Sequence, residues 1–397
     1  MLHHLLKLIW RRKSRNMMLS LEILLAFMIV FAIAAFAVRN YQLYQMPTGF
    51  AWRDQWSVNI RNAQPLPNDA AMYDALKRAL LDLPEVEKVA FAAMAPYELS
   101  RMNAYYSLPD GSRRVESDNM ATSDDFFDAM HMTPAQGRWF SKADDAAEAT
   151  PTVINRLLAD RLFPGIPAVG QVFIDAETRA TPRRYRVSAV VEHFRSHGEY
   201  MDPVNVVLPR FVPGVGDNPP MTIMLRVKPG TPRAFEARLS ARLKREHNDW
   251  SFVITPLSEA RKTMMGLQTS PLIVISVIAA FLLVMVAFGL FGVLWQNTTQ
   301  RIPEIGLRRA LGADAGHIYR QIIAEQMLLS TGAMAVALVL LVQLPLTGVF
   351  ADALNWPVFL AATALSAGVI YLLSLLCSLY PGWRAARLSP TQALHYE

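Results

Sequence analysis

Neighbouring carboxylates are the first residues of this sequence whose types and spacing could carry chemistry. Aspartate pairs occur at residues 124–125 and 144–145, and paired carboxylates can act as a general acid and a general base. Each pair, however, follows a serine, Ser123 or Ser141, at a position where a helix is predicted to begin. Acidic side chains in a first helical turn complement the helix dipole, so the sequence favours capping over catalysis.

Two histidines, His193 and His197, could hold a metal ion if both projected from one face of a helix. They follow a predicted strand and precede Gly198, which indicates a loop, where that spacing has no such implication. The single cysteine, Cys377, lies in an apolar run and leaves no intrachain disulfide and no thiolate cluster. The sequence therefore predicts that this chain binds no metal.

Signatures of common hydrolases and of nucleotide binding do not occur in the sequence. G-x-S-x-G and H-E-x-x-H are both missing, which argues against the alternative of a membrane-anchored enzyme with a catalytic outer domain. G-x-x-x-x-G-K-[ST], the loop that cradles phosphates, is missing too. We therefore expect no catalytic residue and no bound cofactor in this chain, and any ATP would be hydrolysed by another polypeptide.

The elements that must position any functional residue are mostly membrane helices. The chain is 52% hydrophobic and only 18% charged, which is too apolar for an ordinary soluble protein of 397 residues. Four apolar segments are long enough to cross a hydrocarbon layer of about 30 Å. These segments are residues 17–38, 271–294, 322–344 and 358–380. The first exceeds the apolar core of a typical signal peptide, so a retained anchor is favoured over a cleaved leader.

Basic residues cluster on one side of these segments. Residues 1–16 carry five, residues 295–321 carry four and residues 381–397 carry two, whereas residues 345–357 carry none. Because basic flanks stay in the cytoplasm, both termini and the 295–321 loop are expected there, with the hydrophilic block outside. The same clustering, despite a net charge of +6, argues against nucleic-acid binding.

The hydrophilic block, residues 39–270, is predicted to form one large extracytoplasmic α+β domain between the first and second membrane helices. Short runs rich in β-branched or aromatic residues predict strands at residues 56–60, 87–91, 171–174, 185–191, 221–227 and 252–254. Helices are predicted at residues 69–81, 124–131, 155–163 and 232–246. In the last of these, Phe235, Leu239 and Leu243 recur every four residues and are expected to form a buried stripe.

Residues 300–319, between the second and third membrane segments, contain residues that are typical of the beginnings and ends of two helices. Pro303 suits a first helical position, and Gly312 lets the chain leave that helix in a left-handed conformation. The predicted helix has roughly nine residues and is about 13 Å long. Asp314 is placed to cap a second helix that continues into the third membrane segment.

The same stretch carries a family resemblance. Residues 304–313, EIGLRRALGA, resemble the E-I-G-x-x-x-A-x-G-A signature of the MacB/FtsX-like, or type VII, permeases of ABC transporters. In that family the segment docks on the ATPase subunit. The resemblance thus implies an ATPase-coupling role for Pro303, Glu304, Ile305, Gly306, Leu307, Arg308, Arg309, Leu311, Gly312 and Ala313. Residues 380–397 resemble the family's closing motif, with His395 in place of an arginine, which implies an additional ATPase contact at Arg384, Arg387 and His395.

The hydrophilic block resembles the periplasmic core domain of the same family. Residues 126–130, FFDAM, with GRWF at residues 137–140, are similar to its Y-F-x-x-M and G-R-x-F motifs. Residues 153–155, VIN, with LFPG at residues 162–165, are similar to its V-I-N and L-F-P motifs. These motifs fade before Arg114.

The resemblance implies a non-catalytic, multi-pass subunit of the bacterial inner membrane, with its large domain in the periplasm. In this scheme a dimer of ATPase subunits binds ATP-Mg, and the permease transmits the resulting motion to its periplasmic domain, where a substrate is exported or extracted. Implied partners are the ATPase, a second permease copy or paralogue, a periplasmic adaptor with an outer-membrane channel, and membrane lipid. The alternative within the family is an FtsX-like regulator that activates a periplasmic cell-wall hydrolase.

Several polar or small residues lie inside the apolar segments. Glu22 and Glu325 fall near the cytoplasmic ends of their segments, where the carboxylates are expected to reach interfacial water. A functional role for Glu22, or for Glu325 in anchoring the 300–319 segment, is the alternative. Gly289, Gly292 and Gly332 are expected to let helices approach closely.

Overall fold

The computed structural model describes residues 13–62, 66–176, 182–215, 219–348 and 353–387. The chain divides into two compact units. One, the membrane unit, contains residues up to 42 and from 270 onward; the other, the head unit, contains residues 43–269.

Helices dominate the membrane unit, and both α-helices and strands build the head unit. The helices are α1 (Lys13–Gln45), α2 (Ala70–Leu81), α3 (Phe126–Ala129), α4 (Arg156–Leu162), α5 (Phe235–Glu246), α6 (Leu257–Thr299), α7 (Ile302–Ala310), α8 (Ala315–Leu341), α9 (Gln343–Thr347) and α10 (Trp356–Arg387). The strands are β1 (Gln55–Arg61), β2 (Val86–Ala92), β3 (Asn103–Ser107), β4 (Val115–Asn119), β5 (Gln136–Gly137), β6 (Thr150–Asn155), β7 (Val172–Asp175), β8 (Arg184–Val191), β9 (Val206–Pro209), β10 (Thr222–Val227) and β11 (Ser251–Pro256).

Within the described residues, four helices are long and apolar enough to cross a membrane: α1, α6, α8 and α10. Their buried core includes Phe27, Phe31, Leu290, Ala337 and Val358. All four extend beyond the apolar segments that the sequence predicts, α8 only at its N-terminal end, and α6 begins at Leu257 rather than near residue 271. Apolar composition marks only the part that must avoid water, whereas helical hydrogen bonding continues through the polar residues on either side.

A four-stranded antiparallel sheet with the strand order β11-β1-β10-β2 forms one layer of the head unit. Helices α2 and α5 supply apolar side chains to its core, and the predicted stripe of Phe235, Leu239 and Leu243 is buried as expected. Asp69 caps α2 by accepting a hydrogen bond from the backbone N–H of Ala71.

The second sheet of the head unit has seven strands in the order β5-β8-β6-β9-β4-β3-β7. Strand β7 also pairs with β8, so six of these strands close into a barrel and only β5 lies outside the closed ring. Tyr106, Phe173 and Tyr185 fill the interior, with ring centroids 5.4 to 5.5 Å apart. Closure leaves these six strands no free edge, which removes a surface that could pair with another chain.

All six predicted strands are present, each shifted by at most two residues at an end. The four predicted helices are also present, although the helix predicted at residues 124–131 is reduced to the single turn of α3. Strands β3, β4, β5 and β9 were not predicted from the sequence, and neither was the strand at residues 150–155. Strand β4, VESDN, shows why: its polar residues lack strand propensity, and its pairing with β9 joins residues far apart in the chain.

Candidate functional site

The 300–319 segment folds largely as its sequence predicts. Helix α7 has nine residues, although Pro303 takes its second position rather than its first. Gly312 has a φ of +94°, the left-handed conformation that favours glycine after a helix. Asp314 then caps α8, because its Oδ2 atom accepts a hydrogen bond of 3.0 Å from the backbone N–H of Gly316.

One face of α7 is fixed to the helices beside it. Ile305 is buried and packs in a small apolar cluster with Ile318 of α8 and Ala385 of α10, and Ala313 packs against the same cluster. Gly306 is buried on this face as well. Helix α7 is therefore held by contacts with two membrane-spanning helices.

A chain of polar contacts reinforces this attachment. Arg308 donates to Glu304 Oε1 at 2.6 Å and to Gln321 Oε1 at 3.3 Å, and Gln321 donates to Glu325 Oε1 at 3.0 Å. Glu325 is buried and also accepts a hydrogen bond from Arg301. The expectation that Glu325 reaches interfacial water is therefore wrong. Its carboxylate is instead paired with a basic residue just before α7, which supports the anchoring alternative.

The opposite face of α7 is apolar and exposed. Pro303, Leu307, Ala310 and Leu311 recur at the spacing that places them along one side of a helix. Leu307 is 57% exposed and Leu311 is 81% exposed. Arg309 also lies in α7. The helix thus presents an apolar strip, the α7 outer face, that the described part of the chain leaves uncovered.

The residues that the closing motif implicates lie at the end of α10. Arg384 places its guanidinium 4.4 Å from the ring centroid of Trp295, and Arg387 does the same over Trp383. Ala385, between them, is the residue that packs against Ile305 of α7. His395 lies outside the described residues.

A second candidate region lies in the head unit and was missed by the sequence analysis. In the loop of residues 193–201, the clamp loop, Arg195 is only 4% exposed. Its guanidinium donates four hydrogen bonds of 2.5 to 3.1 Å, all to backbone carbonyl oxygens. Two of the acceptors, Leu43 and Met46, lie at the C-terminal end of α1, where helix carbonyls lack partners within the helix.

The clamp loop also contacts the first turns of α6. The buried carboxylate of Glu199 accepts a hydrogen bond of 2.6 Å from Nε of Arg261, and Gln268 donates to the carbonyl oxygen of His197 at 3.1 Å. Tyr97 lies 3.4 Å from the same Glu199 oxygen, and its pKa is raised by burial and by that carboxylate. One loop therefore holds the end of α1 and the beginning of α6.

The clamp loop contains the two histidines that the sequence singled out. They lie in a loop, as predicted. His197 is buried, with Nδ1 3.0 Å from Ser196 Oγ and 3.7 Å from Asp118 Oδ2. Burial lowers the pKa of His197, and the nearby Asp118 carboxylate opposes this only in part. The ring is therefore neutral at pH 7.

The two aspartate pairs are structural, but only one caps as predicted. Asp144 accepts a hydrogen bond of 2.9 Å from the backbone N–H of Ser141, at a single 3-10 turn. The capping prediction for residues 124–125 is wrong, because Asp124 pairs with Arg210 and Asp125 with Lys77 instead. The buried Arg210 offers Asp124 a stronger partner than a one-turn helix does.

Glycines in the membrane unit differ in what surrounds them. A Cβ atom on Gly289 of α6 would lie 2.0 Å from Oε1 of Glu22, so the carboxylate of α1 lies directly against the α6 backbone. Glu22 thus packs between helices rather than simply reaching interfacial water. At Gly292 and Gly332 a Cβ would meet no atom within 4 Å among the described residues, so no described helix of this chain approaches closely there.

Two family models match the chain. The model of the MacB-like periplasmic core domain matches residues 17–242, and that of the FtsX-like permease C-terminal region matches residues 276–390. The chain belongs to the MacB/FtsX-like permease family. In this permease the match begins well before Arg114, where the sequence motifs fade, and it includes most of the head unit. Most of the head unit therefore lies within the match to the MacB-like periplasmic core domain, and the 300–319 segment lies in the FtsX-like part.

Curated relatives of the permease are larger proteins. The probable syringafactin export ATP-binding/permease protein SyfD of Pseudomonas syringae pv. tomato is 26% identical over 287 residues, which cover 70% of this chain and 42% of the relative. The macrolide export ATP-binding/permease protein MacB 2 of Aeromonas hydrophila is 24% identical over 355 residues, which cover 88% and 51%. The permease thus spans about half, or less, of the length of these relatives. The solved periplasmic region of MacB from Actinobacillus actinomycetemcomitans shows 13% identity and a TM-score of 0.40, over 56% of this chain and 98% of that one.

Proposed function

We propose that this permease converts ATP binding and hydrolysis in a separate ATPase subunit into movement of its periplasmic domain, and that this movement exports a substrate. The α7 outer face carries the proposal. Leu307 and Leu311 offer an apolar surface for a partner, whereas Ile305 attaches the same helix to α8 and α10. A helix that is exposed on one side and anchored on the other can transmit a displacement.

The ATPase must distinguish two conformations through this contact. A contact of equal strength in both nucleotide states would shift no equilibrium, so the α7 outer face must bind one state more tightly. ATP-Mg would be held by the ATPase, and the basic flanks of the spans favour a cytoplasmic position for α7, where ATP is present. The polar contacts from Glu304 to Glu325 would keep α7 from moving independently of α8.

At the other end, the clamp loop would receive the motion. Helices α1 and α6 each contribute residues to both units, and Arg195 and Glu199 hold their ends in the head unit. A relative displacement of α1 and α6 would therefore act on the clamp loop and on the domain that contains it. The bonds of Arg195 to backbone carbonyls suit this role at α1, since they hold the helix itself rather than a flexible side chain.

The assembly would contain two permeases. One α7 outer face serves one ATPase subunit, so a dimeric ATPase requires a second copy of this chain or a paralogue. The names of the relatives, which describe syringafactin and macrolide export, favour export over import. A periplasmic adaptor and an outer-membrane channel would complete the path across the envelope.

Substitutions in the 300–319 segment test the proposal. Arg308→Glu places a second carboxylate beside Glu304 and reverses the charge next to the outer face, and Gly312→Pro forces a φ near −65° where the chain needs +94°. With the partner ATPase in nanodiscs, both variants should lose stimulated ATP turnover while inserting normally. Wild-type stimulation in both variants would show that the segment does not couple the two subunits.

A further inference from the structure

Aromatic and basic side chains form an ordered stack where α6 and α10 end. The rings of Trp295 and Tyr380 are nearly parallel, with centroids 5.7 Å apart and an interplanar angle of 7°. Trp383 continues the stack at 6.2 Å from Tyr380. Arg384 lies over Trp295 and Arg387 over Trp383, each at 4.4 Å. We name these five residues the aromatic–arginine cluster.

The position of the cluster matches a membrane–water interface. Tyr380 and Trp383 are about half exposed and directly follow the apolar run of α10, which is where tryptophan and tyrosine rings concentrate in membrane proteins. Exposed leucines of the same helix, such as Leu372 and Leu376, precede the cluster on its apolar side. The cluster therefore meets apolar surroundings on one side and water on the other.

The charges of the cluster differ from those of the neighbouring 300–319 segment. Arg301 pairs with Glu325 and Arg308 with Glu304, whereas no carboxylate among the described residues pairs with Arg384 or Arg387. Their guanidinium faces lie on aromatic rings, which leaves the N–H groups at the edges free to bind an anion. Two fixed positive charges at an interface thus lack an anionic partner within the described chain.

A groove beside Arg384 offers room for that partner. It is lined by Trp295, Thr298, Thr299, Ile302, Pro381 and Arg384. Ile302 is the first residue of α7, so the groove adjoins the base of that helix. Its lining combines hydroxyl groups and a guanidinium with apolar surface. This mixture suits an amphiphile better than it suits a protein surface that is only polar or only apolar.

We propose that the aromatic–arginine cluster binds the phosphate of an anionic phospholipid, with the acyl chains along the exposed face of α10. Guanidinium groups bind phosphate through two parallel N–H donors, and anionic lipids attract basic residues at the interface. Arg384 and Arg387 then contact the membrane rather than the ATPase that the closing motif implies. A lipid bound in this groove would also touch the base of α7.

Native mass spectrometry of the purified full chain, titrated with phosphatidylglycerol or phosphatidylcholine, tests this site. Wild type should prefer phosphatidylglycerol, and the double variant Arg384→Gln/Arg387→Gln should bind it at least tenfold more weakly with no change for phosphatidylcholine. Trp295→Leu, which removes one supporting ring, should weaken phosphatidylglycerol binding in the same direction. The matched control is Arg320→Gln, which removes the same charge from an exposed arginine of α8 and should change binding less than twofold.

Three results would overturn the assignment. Phosphatidylglycerol binding within twofold of wild type in the double variant, with its helical circular dichroism intact, would show that the cluster is not a lipid site. Unchanged lipid binding together with weakened binding of the partner ATPase would assign both arginines to the protein interface. If inorganic phosphate at millimolar concentration competed for the site as well as the lipid does, the acyl chains would contribute nothing to binding. None of these readouts depends on ATP turnover, so the outcome is independent of the proposed coupling.

Discussion

Helix α7 and the clamp loop each contact helices that are long enough to cross a membrane, yet the α7 outer face and the clamp loop are built in opposite ways. The outer face leaves Leu307 and Leu311 exposed, and the clamp loop buries Arg195 and Glu199. An exposed apolar surface gains by meeting another molecule, because its burial removes that area from water. A buried arginine that satisfies four carbonyl oxygens gains nothing further from a partner.

The α7 outer face is therefore suited to be a contact surface for a partner, and the clamp loop is suited to be a joint that holds helices together. A contact surface must be able to form and to break with the state of its partner, so its energy should depend on something outside the chain. A joint must hold in every state, so its bonds should be internal and closed to water. Substitutions in the two regions should therefore affect different measurements.

The largest effect is expected from Arg195→Met. Methionine fills similar volume but leaves four carbonyl oxygens without this donor, two of them in buried bonds, and each unsatisfied buried group costs about 1 to 3 kcal/mol. We expect local opening of the clamp to become easier by about 3 kcal/mol, which hydrogen exchange on the full chain would report as roughly hundredfold faster exchange at residues 43–46 and 193–201.

The control for Arg195→Met is Arg186→Met, the same change at an exposed arginine of β8. Exposed substitutions usually alter stability by less than about 0.5 kcal/mol, so exchange in the clamp loop should not change. Equal exchange rates in the two variants would show that Arg195 does not act as a joint.

The next effect should come from Leu311→Asp combined with Leu307→Asp. Both side chains are exposed, so the fold should keep its stability. Burial of a leucine in a partner contributes about 1.5 to 3 kcal/mol, so the affinity for the partner ATPase should fall at least tenfold. Isothermal titration or surface plasmon resonance with the purified ATPase would measure this.

The matched substitution is Leu99→Asp, since Leu99 is 73% exposed in the head unit. It should leave ATPase affinity unchanged. Were the two α7 variants to bind the ATPase as tightly as Leu99→Asp does, the outer face would not be the contact surface.

A smaller effect is expected from Gly312→Ala. A Cβ at this position would meet no atom of the described residues within 4 Å, so the substitution isolates the cost of a φ of +94°, about 1 to 2 kcal/mol. Gly332→Ala provides the control, because it also has open space but lies inside α8 with ordinary helical geometry. Only Gly312→Ala should reduce stimulated ATP turnover. Equal turnover in the two variants would remove the left-handed turn from the mechanism.

The sequence predicts a region well where its interactions join residues that are close together in the chain. Helix α7 could be predicted because Gly312 and Asp314 act within a few residues of their own positions. The anchoring pair of Arg301 and Glu325 joins residues 24 apart, and its contact could not be assigned from local pattern. The exposure of Leu311 likewise depends on which helices cover α7, and the residues that begin and end α7 do not specify that.

The clamp loop was missed for the same physical reason. Arg195 bonds to Leu43 and Met46, which lie about 150 residues earlier in the chain. Locally, the stretch shows two histidines and a glycine, and those residue types drew attention to a metal site. A signal was present nonetheless: an arginine between Phe194 and Ser196 in a loop that directly follows a buried strand needs acceptors, and buried arginines find them in backbone carbonyls.

The smallest effect is expected from pH, and it acts on the joint alone. Because burial lowers the pKa of His197 below its value in the unfolded chain, the folded protein resists protonation. Stability is then complete above about pH 6.5 and falls as the pH drops below that value, by at most about 1.4 kcal/mol per pH unit, until the folded pKa is reached. The α7 outer face offers only apolar side chains and should show no such dependence.

Thermal unfolding of the full chain between pH 8 and pH 5 checks this expectation. The difference between wild type and His197→Gln should grow as the pH falls, since glutamine keeps a polar side chain but cannot be protonated. His193→Gln, in the same loop, should follow the wild-type curve. If His197→Gln shows the wild-type pH dependence, the titrating group lies elsewhere, and the clamp loop would hold α1 and α6 equally well in acidic surroundings.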